Sequence, residues 1–156
     1  MAIEIEHKYL VKNDSFKSLA DSAVDIRQGY LNRDPARTVR VRTKGDRGFI
    51  TVKGSTSGDT RVEYEYPVPY GDAIAMLRLC DGTVIEKRRY LVPYHGKTWE
   101  IDEFTGSLQG LVVAEIELES SGESYDIPPF VGREVTGDPR YYNSCLDASI
   151  LCDSFH

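Results

Sequence analysis

Charged and apolar residues alternate along most of the chain, in short segments rich in Val, Ile, Tyr and Thr. Such alternation predicts β-strands, because successive side chains of a strand point to opposite faces. Eight segments carry the pattern: residues 3–10, 25–31, 38–43, 48–53, 60–67, 83–93, 97–104 and 111–119. The sequence KGDR at residues 44–47 is typical of a hairpin turn. We therefore expect an antiparallel sheet or barrel.

Only two segments have clear helical patterning. They cover residues 16 to about 23, after the helix-start signal Asn13-Asp14-Ser15, and residues 73–80. We expect residues 130–156 to form turns with one or two short helices. The chain has 156 residues and shows no internal repeat, so residues 1–156 are predicted to form a single, mainly β domain with a few peripheral helices.

The alternation places the charged residues of seven strands on one face of the predicted sheet. The basic residues on this face are Lys8, Arg40, Arg42, Lys53, Arg61, Lys87 and Arg89. The acidic residues on it are Glu4, Glu6, Glu63, Glu65, Glu100, Asp102, Glu115, Glu117 and Glu119. Glu100 and Glu119 lie near strand ends, where we expect solvated side chains. His7 has the opposite parity and is expected to face solvent.

Like charges recur two residues apart within single strands, as in Glu4 and Glu6 or Arg40 and Arg42. Such pairs repel unless a counter-charge offsets them. If the charged face lined a closed barrel, water and ligand would have to fill the interior, because burying unpaired ions is costly. Clustered carboxylates favour a hard divalent cation and clustered Arg and Lys favour a polyanion, so Mg²⁺-bound polyphosphate would satisfy both. The alternative, the solvated face of an ordinary sheet, leaves the like-charged pairs unexplained.

Composition narrows the possible partners. The formal net charge of −6 and the pI of about 5.1 argue against non-specific nucleic-acid binding. No apolar run approaches the roughly 20 residues of a membrane helix and no signal peptide follows Met1, so we expect a cytoplasmic protein without membrane contact. Cys80, Cys145 and Cys152 have no metal-binding spacing and are expected to be free thiols. The apolar outer face of a charged barrel is compatible with a homodimer.

The ordered motifs resemble those of the triphosphate tunnel metalloenzymes, the CYTH superfamily. Glu4-x-Glu6-x-Lys8 is similar to the ExExK signature near the start of that family. The other matching motifs follow in order: TVRVRT at residues 38–43, TVKG at 51–54, RVEYEYP at 61–67, EKRRY at 86–90, WEIDEF at 99–104 and AEIELE at 114–119. GREVTGDPRYYN, at residues 132–143, resembles the C-terminal element of short bacterial members. The likeness extends from residue 3 to about residue 147.

This resemblance implies a closed eight-stranded antiparallel β tunnel. It implies an enzyme that hydrolyses inorganic triphosphate (tripolyphosphate) to pyrophosphate and phosphate with Mg²⁺ or Mn²⁺. Other members of the superfamily are thiamine triphosphatases, RNA triphosphatases and class IV adenylyl cyclases, so a cyclase or a nucleoside or thiamine triphosphatase remains an alternative. A non-catalytic polyphosphate-binding module is a third possibility, although such a module would gain nothing from two acidic strands that repel its ligand.

The same resemblance assigns roles to individual residues. The substrate-binding residues are expected to be Lys8, Arg40, Arg42, Lys53, Arg61, Lys87 and Arg89. The metal ligands are expected to be Glu4, Glu6, Asp102, Glu115 and Glu117. Lys8 would neutralise the transferred phosphoryl group, and Tyr30 would reach the scissile phosphate or simply pack. A second metal, or a carboxylate among Glu63, Glu65 and Glu117, would activate the attacking water. For Arg61, an ion pair with a neighbouring acid is the competing interpretation.

Overall fold

The computed structural model describes residues 2–147 and 149–151. The strands in these residues are β1 (Ala2–Val11), β2 (Ser22–Asn32), β3 (Arg37–Lys44), β4 (Arg47–Gly54), β5 (Thr60–Val68), β6 (Asp81–Tyr94), β7 (Lys97–Phe104), β8 (Val112–Glu117) and β9 (Val131–Glu134). The α-helices are α1 (Phe16–Leu19) and α2 (Tyr70–Leu77). Short 3₁₀ helices cover Gly106–Leu108, Pro139–Tyr141 and Asn143–Cys145.

The strands form one antiparallel sheet that closes on itself. The strand order is β5-β4-β3-β2-β6-β7-β8-β1, and a further pairing of β5 with β1 closes an eight-stranded barrel. Closure joins Ile3 to Val62 and Glu4 to Arg61 in register. β9 lies outside the ring and pairs with the end of β1. The prediction of a closed eight-stranded antiparallel barrel with few peripheral helices is confirmed.

Tight turns set the register of two hairpins. Lys44 pairs with Arg47 across a two-residue loop, and Gly45 adopts a φ of 60°, which a residue without a Cβ adopts at little cost. In the β6–β7 hairpin, His95 and Gly96 have φ values of 46° and 80°, the pattern of a type I′ turn. These registers bring opposed side chains of neighbouring strands to the same face of the barrel wall.

Apolar residues cover much of the outside of the barrel. One buried cluster packs α1 and the segment before β9 against β1, β6, β7 and β8; its largest fully buried members are Trp99, Phe16, Phe130, Ile101 and Ile116. A second buried cluster joins Ala73 and Leu77 of α2 to Val41 of β3. Burial of these side chains stabilises the barrel from outside, which leaves its interior available for polar groups.

One end of the interior is apolar. Leu10, Ile85, Phe104 and Val113 face inward there and pack against residues from the loops and the C-terminal segment, including Tyr141. This buried cluster closes the barrel below the charged residues. The interior is therefore a polar chamber above an apolar floor.

The structure corrects several sequence-based expectations. The first helix ends at Leu19 rather than near residue 23, because the chain is extended at Ala20 and β2 already pairs Ser22 with Leu91 of β6. The expected turns after residue 130 include a strand, β9, whose four residues are too few for an alternation pattern. The second helix begins at Tyr70 and ends at Leu77, earlier than expected.

His7 only partly matches the expectation of a solvent-facing side chain. It points outward as predicted, but its ring is hydrogen-bonded to the Tyr125 hydroxyl at 2.6 Å and to Asp59 at 2.9 Å. These contacts hold the β4–β5 loop and the segment after β8 against β1.

Three surface features concern possible partners: exposed apolar side chains, helix length and free cysteines. Ile3, Val52, Tyr64 and Tyr66 are exposed on the outside of β1, β4 and β5, so part of the apolar face is uncovered; dimer formation stays a prediction. In the described parts of the chain, no helix combines the length and apolarity needed to cross a membrane. Cys80 and Cys145 are free thiols, and Cys152 lies outside the described residues.

Candidate active site

Strand pairing shows which side chains share the barrel interior. Lys8 lies opposite Glu115, and Glu6 lies opposite Glu117. The other facing pairs are Glu4 with Arg61, Thr38 with Lys53, Arg40 with Tyr30 and Thr51, Lys53 with Glu63, Thr51 with Glu65, and Arg89 with Asp102. Directly opposed residues of an antiparallel pair project from the same face. The structure thus brings all of the predicted site residues to the inner face.

The acidic wall is formed by β1 and β8. Burial, together with the charges of Glu115 and Glu4, raises the pKa of Glu6 well above its ordinary value. Burial and the charges of Glu4 and Glu100 also raise the pKa of Glu117. These carboxylates repel one another across a shared space, so a cation placed between them would be strongly attracted.

A carboxylate pair lies next to this wall and is bridged by Lys53. The Lys53 ammonium donates to both oxygens of Glu4, at 2.9 and 3.0 Å, and lies 3.3 Å from Glu63. Burial opposes ionisation of Glu4, but Lys53 outweighs it and lowers the pKa to about 2. Burial and the hydrogen bond and charge of Glu4 raise the pKa of Glu63 to about 7. Glu4 is therefore the charged partner of Lys53, and Glu63 gains its proton as the pH falls through about 7.

The basic wall is centred on β3. Arg42 Nη2 donates to Glu65 at 2.8 Å, and the Thr51 hydroxyl donates to the same oxygen at 2.9 Å. Arg40 Nη2 donates to Thr51 at 3.2 Å. Burial and the charges of Arg40 and Arg89 lower the pKa of Arg42 to about 10. Glu65, whose side chain is 32% exposed, thus faces a concentrated positive field that a polyanion would neutralise.

A second basic group lies on β6 and contacts Asp102 of β7. Arg89 forms a two-point contact with Asp102, from Nε at 2.8 Å and Nη2 at 2.9 Å, and Lys87 lies 2.7 Å from the same carboxylate. Burial, with the charge of Arg89, lowers the pKa of Lys87 to about 8. Lys87 and Asp102 are almost completely buried, so Arg89 is the member of this group that reaches the cavity.

Lys8 links the acidic wall to the C-terminal segment. Its ammonium donates to the Tyr141 carbonyl at 3.0 Å and lies 3.5 Å from Glu115. Tyr30 is buried beside Lys8, and the two side chains line one polar cavity. Arg61 donates to the Gly54 carbonyl at 2.9 Å and to the Thr38 hydroxyl at 3.3 Å. These donations brace the guanidinium of Arg61 against the wall.

Two adjacent cavities lie in the polar interior formed by the described residues. The larger has a volume of about 220 Å³ and opens between β3, β5, β7 and β8; its wall includes Arg42, Glu65, Arg89, Glu115 and Glu117. The smaller, of about 70 Å³, lies between the β4–β5 loop and residues 135–144, and its wall includes Lys8, Tyr30 and Arg61. The residues common to both walls are Glu4, Glu6, Arg40, Lys53 and Asn143.

Three residues in the wall of the larger cavity were not among the predicted site residues. Lys44 follows Arg42 with the same parity, a signal present in the sequence. Glu100 was expected to be solvated near a strand end, but β7 begins at Lys97, so Glu100 lies within the strand, lines the larger cavity and accepts from Arg89 at 2.9 Å. Asn143 begins a 3₁₀ helix of three residues, which is too short for any periodicity to show its direction.

The donor chemistry fits a hard divalent cation. Among residues 2–147 and 149–151, no three carboxylate, imidazole or thiolate groups converge into a preformed metal site. Mg²⁺ is commonly held by one or two carboxylates with substrate phosphates supplying further oxygens, so a preformed cage is not required. Glu4, Glu6, Glu115 and Glu117 supply such oxygens along one cavity wall, and their mutual repulsion leaves negative charge to be neutralised.

The arrangement agrees with a family comparison. The CYTH domain model matches residues 2–142, which include the whole barrel and all of the predicted site residues. The chain belongs to the CYTH family. Its resemblance to the triphosphate tunnel metalloenzymes is thereby confirmed.

Curated CYTH relatives cover almost the entire chain. An inorganic triphosphatase from Acetivibrio thermocellus is 50% identical over 147 residues, which make up 94% of each chain. An inorganic triphosphatase from Nitrosomonas europaea is 37% identical over 153 residues, 94% of this chain and 98% of that protein.

Solved structures agree with the CYTH fold. The crystal structure of the inorganic triphosphatase NE1496 superposes with a TM-score of 0.67 at 33% identity, and covers 95% of this chain and 96% of that one. A protein from Pyrococcus furiosus has a TM-score of 0.59 at 19% identity, over 76% and 80% of the two chains, which shows a shared fold.

Proposed function

We propose that the protein hydrolyses inorganic triphosphate to pyrophosphate and orthophosphate in the presence of Mg²⁺ or Mn²⁺. The observation that carries the proposal is the opposition of a basic wall and an acidic wall across one polar cavity, in a chain that shares 50% identity with an inorganic triphosphatase. A linear anion with many oxygens would engage the bases, and a divalent cation bound to it would engage the carboxylates.

In this proposal the bases bind and orient the substrate. Arg40, Arg42 and Arg89 present planar donors to phosphate oxygens, and Lys53 supplies a compact charge. Lys8 neutralises charge on the phosphoryl group being transferred, with Tyr30 beside it. Positioning and electrostatic stabilisation supply most of the rate enhancement of phosphoryl transfer, so this preformed field is the main contribution of the chain.

The carboxylates divide into metal ligands and water-directing groups. Glu4, Glu6, Glu115 and Glu117 would hold the metal, which when bound would neutralise phosphate charge and lower the pKa of a water molecule. Glu65 is a weak candidate for the base, because its Oε1 already accepts from Arg42 and Thr51. That leaves Glu63 or Glu117, or a second metal ion, to activate the attacking water. pH–rate profiles of Glu63→Gln and Glu117→Gln would identify the group.

Product analysis tests the proposed activity. Purified protein is incubated with tripolyphosphate, ATP or thiamine triphosphate, with Mg²⁺, Mn²⁺ or EDTA, and orthophosphate, pyrophosphate and cyclic AMP are measured. We expect metal-dependent release of pyrophosphate and orthophosphate, with tripolyphosphate the preferred substrate. Cyclic AMP formation would identify a cyclase, preference for ATP or thiamine triphosphate a different triphosphatase, and tight binding without turnover a binding module.

Glu115→Gln separates metal chemistry from anion binding. The amide keeps the shape of the side chain but removes a charge from the acidic wall. We expect the loss of metal-dependent turnover while tripolyphosphate still binds, as measured by calorimetry. Wild-type turnover at ordinary metal concentrations would remove Glu115 from the set of metal ligands. Glu119→Gln, an exposed change just beyond the same strand, serves as the matched control.

A further inference from the structure

The carboxylate of Asp102 is buried and contacts two cations of the chain, unlike the acids that line the cavity. Its Oδ1 accepts from Arg89 Nε at 2.8 Å, and its Oδ2 accepts from Arg89 Nη2 at 2.9 Å and lies 2.7 Å from the Lys87 ammonium. The side chain is 2% exposed. Each of its oxygens is therefore already matched to a cation of the chain.

This environment leaves little capacity for a metal ion. Burial alone would raise the pKa of Asp102, but the charges of Lys87 and Arg89 outweigh burial and hold the pKa well below its ordinary value. A carboxylate that binds a metal ion in the larger cavity has to face that cavity, as Glu6 and Glu115 do. Asp102 instead is absent from the wall of the cavity, and a metal ion would have to compete with Arg89 and Lys87 for its oxygens.

Arg89 gains a fixed direction from this contact. The parallel pair of hydrogen bonds to Asp102 holds the guanidinium plane, and the remaining nitrogen, Nη1, donates to Glu100 at 2.9 Å on the cavity wall. A long side chain held at two points loses its rotamer freedom before the ligand arrives, so less entropy is lost when the anion binds. The two-point contact with Asp102 thus orients the Arg89 guanidinium as a hydrogen-bond donor in the basic wall.

We propose that Asp102 is a positioning residue that holds Arg89 in the basic wall for polyphosphate binding, and that it is not a metal ligand. This revises the role expected for Asp102 from the sequence. It rests on the proposed function for the identity of the anion, whereas the statement about the metal is independent of it.

The deciding experiment measures the two ligands separately. Asp102→Asn and Glu115→Gln are compared with the wild type for Mn²⁺ binding by electron paramagnetic resonance and for tripolyphosphate binding by calorimetry in EDTA. For Asp102→Asn we expect unchanged Mn²⁺ affinity and a loss of about thirtyfold or more in tripolyphosphate affinity. For Glu115→Gln we expect the opposite result: Mn²⁺ affinity falls, and tripolyphosphate affinity in EDTA changes little. A fall in Mn²⁺ affinity in Asp102→Asn as large as that in Glu115→Gln would overturn the proposal, as would unchanged tripolyphosphate affinity.

A double variant tests whether Asp102 acts through Arg89. Arg89→Lys keeps the charge but cannot form the two-point contact. If Asp102 only positions Arg89, adding Asp102→Asn to Arg89→Lys will weaken tripolyphosphate binding little further. If the affinity losses of the two single variants multiply in the double variant, the positioning role is contradicted. If Asp102→Asn fails to fold, Asp102→Glu keeps the charge and moves the carboxylate by one methylene, with the same expected results.

Failure of this inference and failure of the proposed function are distinguishable. A wild-type protein that binds tripolyphosphate but does not hydrolyse it would refute the enzymatic proposal and leave the role of Asp102 to be decided by the binding data. A wild-type protein that binds Mn²⁺ but no tripolyphosphate would refute both the proposed function and the positioning role.

Discussion

Individual carboxylates of the barrel differ in charge state because their neighbours differ. Glu4 and Glu63 lie beside the same ammonium of Lys53, yet the pKa of Glu4 is lowered to about 2 and that of Glu63 is raised to about 7. One cation cannot neutralise both acids, so the more closely paired acid ionises and the other keeps its proton. The site therefore holds less negative charge than its residue types suggest.

Glu63 should give the metal-free protein a distinct pH dependence. Its folded pKa of about 7 exceeds the ordinary glutamate value of 4.5, so the folded state binds more protons. Its contribution to stability is present below pH 4.5 and is lost as the pH rises through about 7. We expect Glu63→Gln to reduce the fall in Tm across this range in EDTA, measured by thermal unfolding.

The exposed change Glu119→Gln controls for the loss of one negative charge and should leave the slope as in the wild type. An unchanged slope in Glu63→Gln would show that other groups, such as Glu6, account for the pH dependence.

Arg42 should contribute mainly to substrate affinity. It lies at the centre of the basic wall and is held by Glu65. Arg42→Ala removes a buried charge and leaves Glu65 without its closest cation, a change that typically costs about 2–5 kcal/mol in binding. We expect a large rise in KM for tripolyphosphate with a smaller change in kcat, measured by steady-state kinetics.

Arg47→Ala is the matched control for Arg42→Ala, since Arg47 is exposed on the neighbouring strand. Equal effects of the two substitutions would mean that general surface charge, rather than an inward wall, attracts the substrate.

At the scale of elements, the strands could be predicted better than the helices. Alternation over β1, β3 and β5 showed both the strands and their inward faces, because the period of two residues is a direct consequence of strand geometry. α1 and β9, with four residues each, are too short to carry a period and are determined by tertiary pairing. The bounds of α2 differ from the expected ones because packing of the helix on the barrel decides where it ends.

α2 should depend on close approach to the barrel at Gly48. A Cβ at this position would lie 2.7 Å from the Cβ of Ala73 and 3.1 Å from the Val68 carbonyl oxygen. Gly48→Ala should therefore force α2 away from β4 and destabilise the fold by about 1–3 kcal/mol, as overpacking typically does. Urea unfolding followed by circular dichroism measures the change.

Gly71 provides a control within α2 itself. A Cβ there meets nothing within 4 Å, so Gly71→Ala should stabilise the helix by about 0.5–1 kcal/mol. Loss of stability in both variants would show that α2 tolerates no side chain at either glycine and that the specific contact at Gly48 is not the cause.

At the scale of the molecule, sequence parity predicted which residues face the interior but not how deep each one lies. Arg89 and Lys87 share a face, yet only Arg89 reaches the cavity, because the apolar floor begins beside Lys87 at Phe104 and Ile85. Depth depends on strand tilt and on loops that fill one end of the barrel. Asn143 was missed for a similar reason, since a loop returns it to the cavity.

The whole barrel should gain stability when both walls are occupied. Metal-bound tripolyphosphate would relieve the repulsion within each wall, and it can bind this way only while the barrel is closed. A ligand at 100 times its Kd stabilises the folded state by about 2.7 kcal/mol. For a domain of this size, that corresponds to a rise in Tm of about 5–10 °C. Differential scanning calorimetry with Mg²⁺ and tripolyphosphate measures the shift.

Separating the components shows which wall each of them stabilises. EDTA should remove the part of the Tm shift that depends on the carboxylates, and tripolyphosphate alone should retain the part that depends on Arg40, Arg42 and Arg89. Orthophosphate at equal ionic strength should have little effect, because one phosphate cannot span the basic wall. A shift of equal size with orthophosphate would indicate general screening of charge, and the two walls would then not act together on one extended ligand.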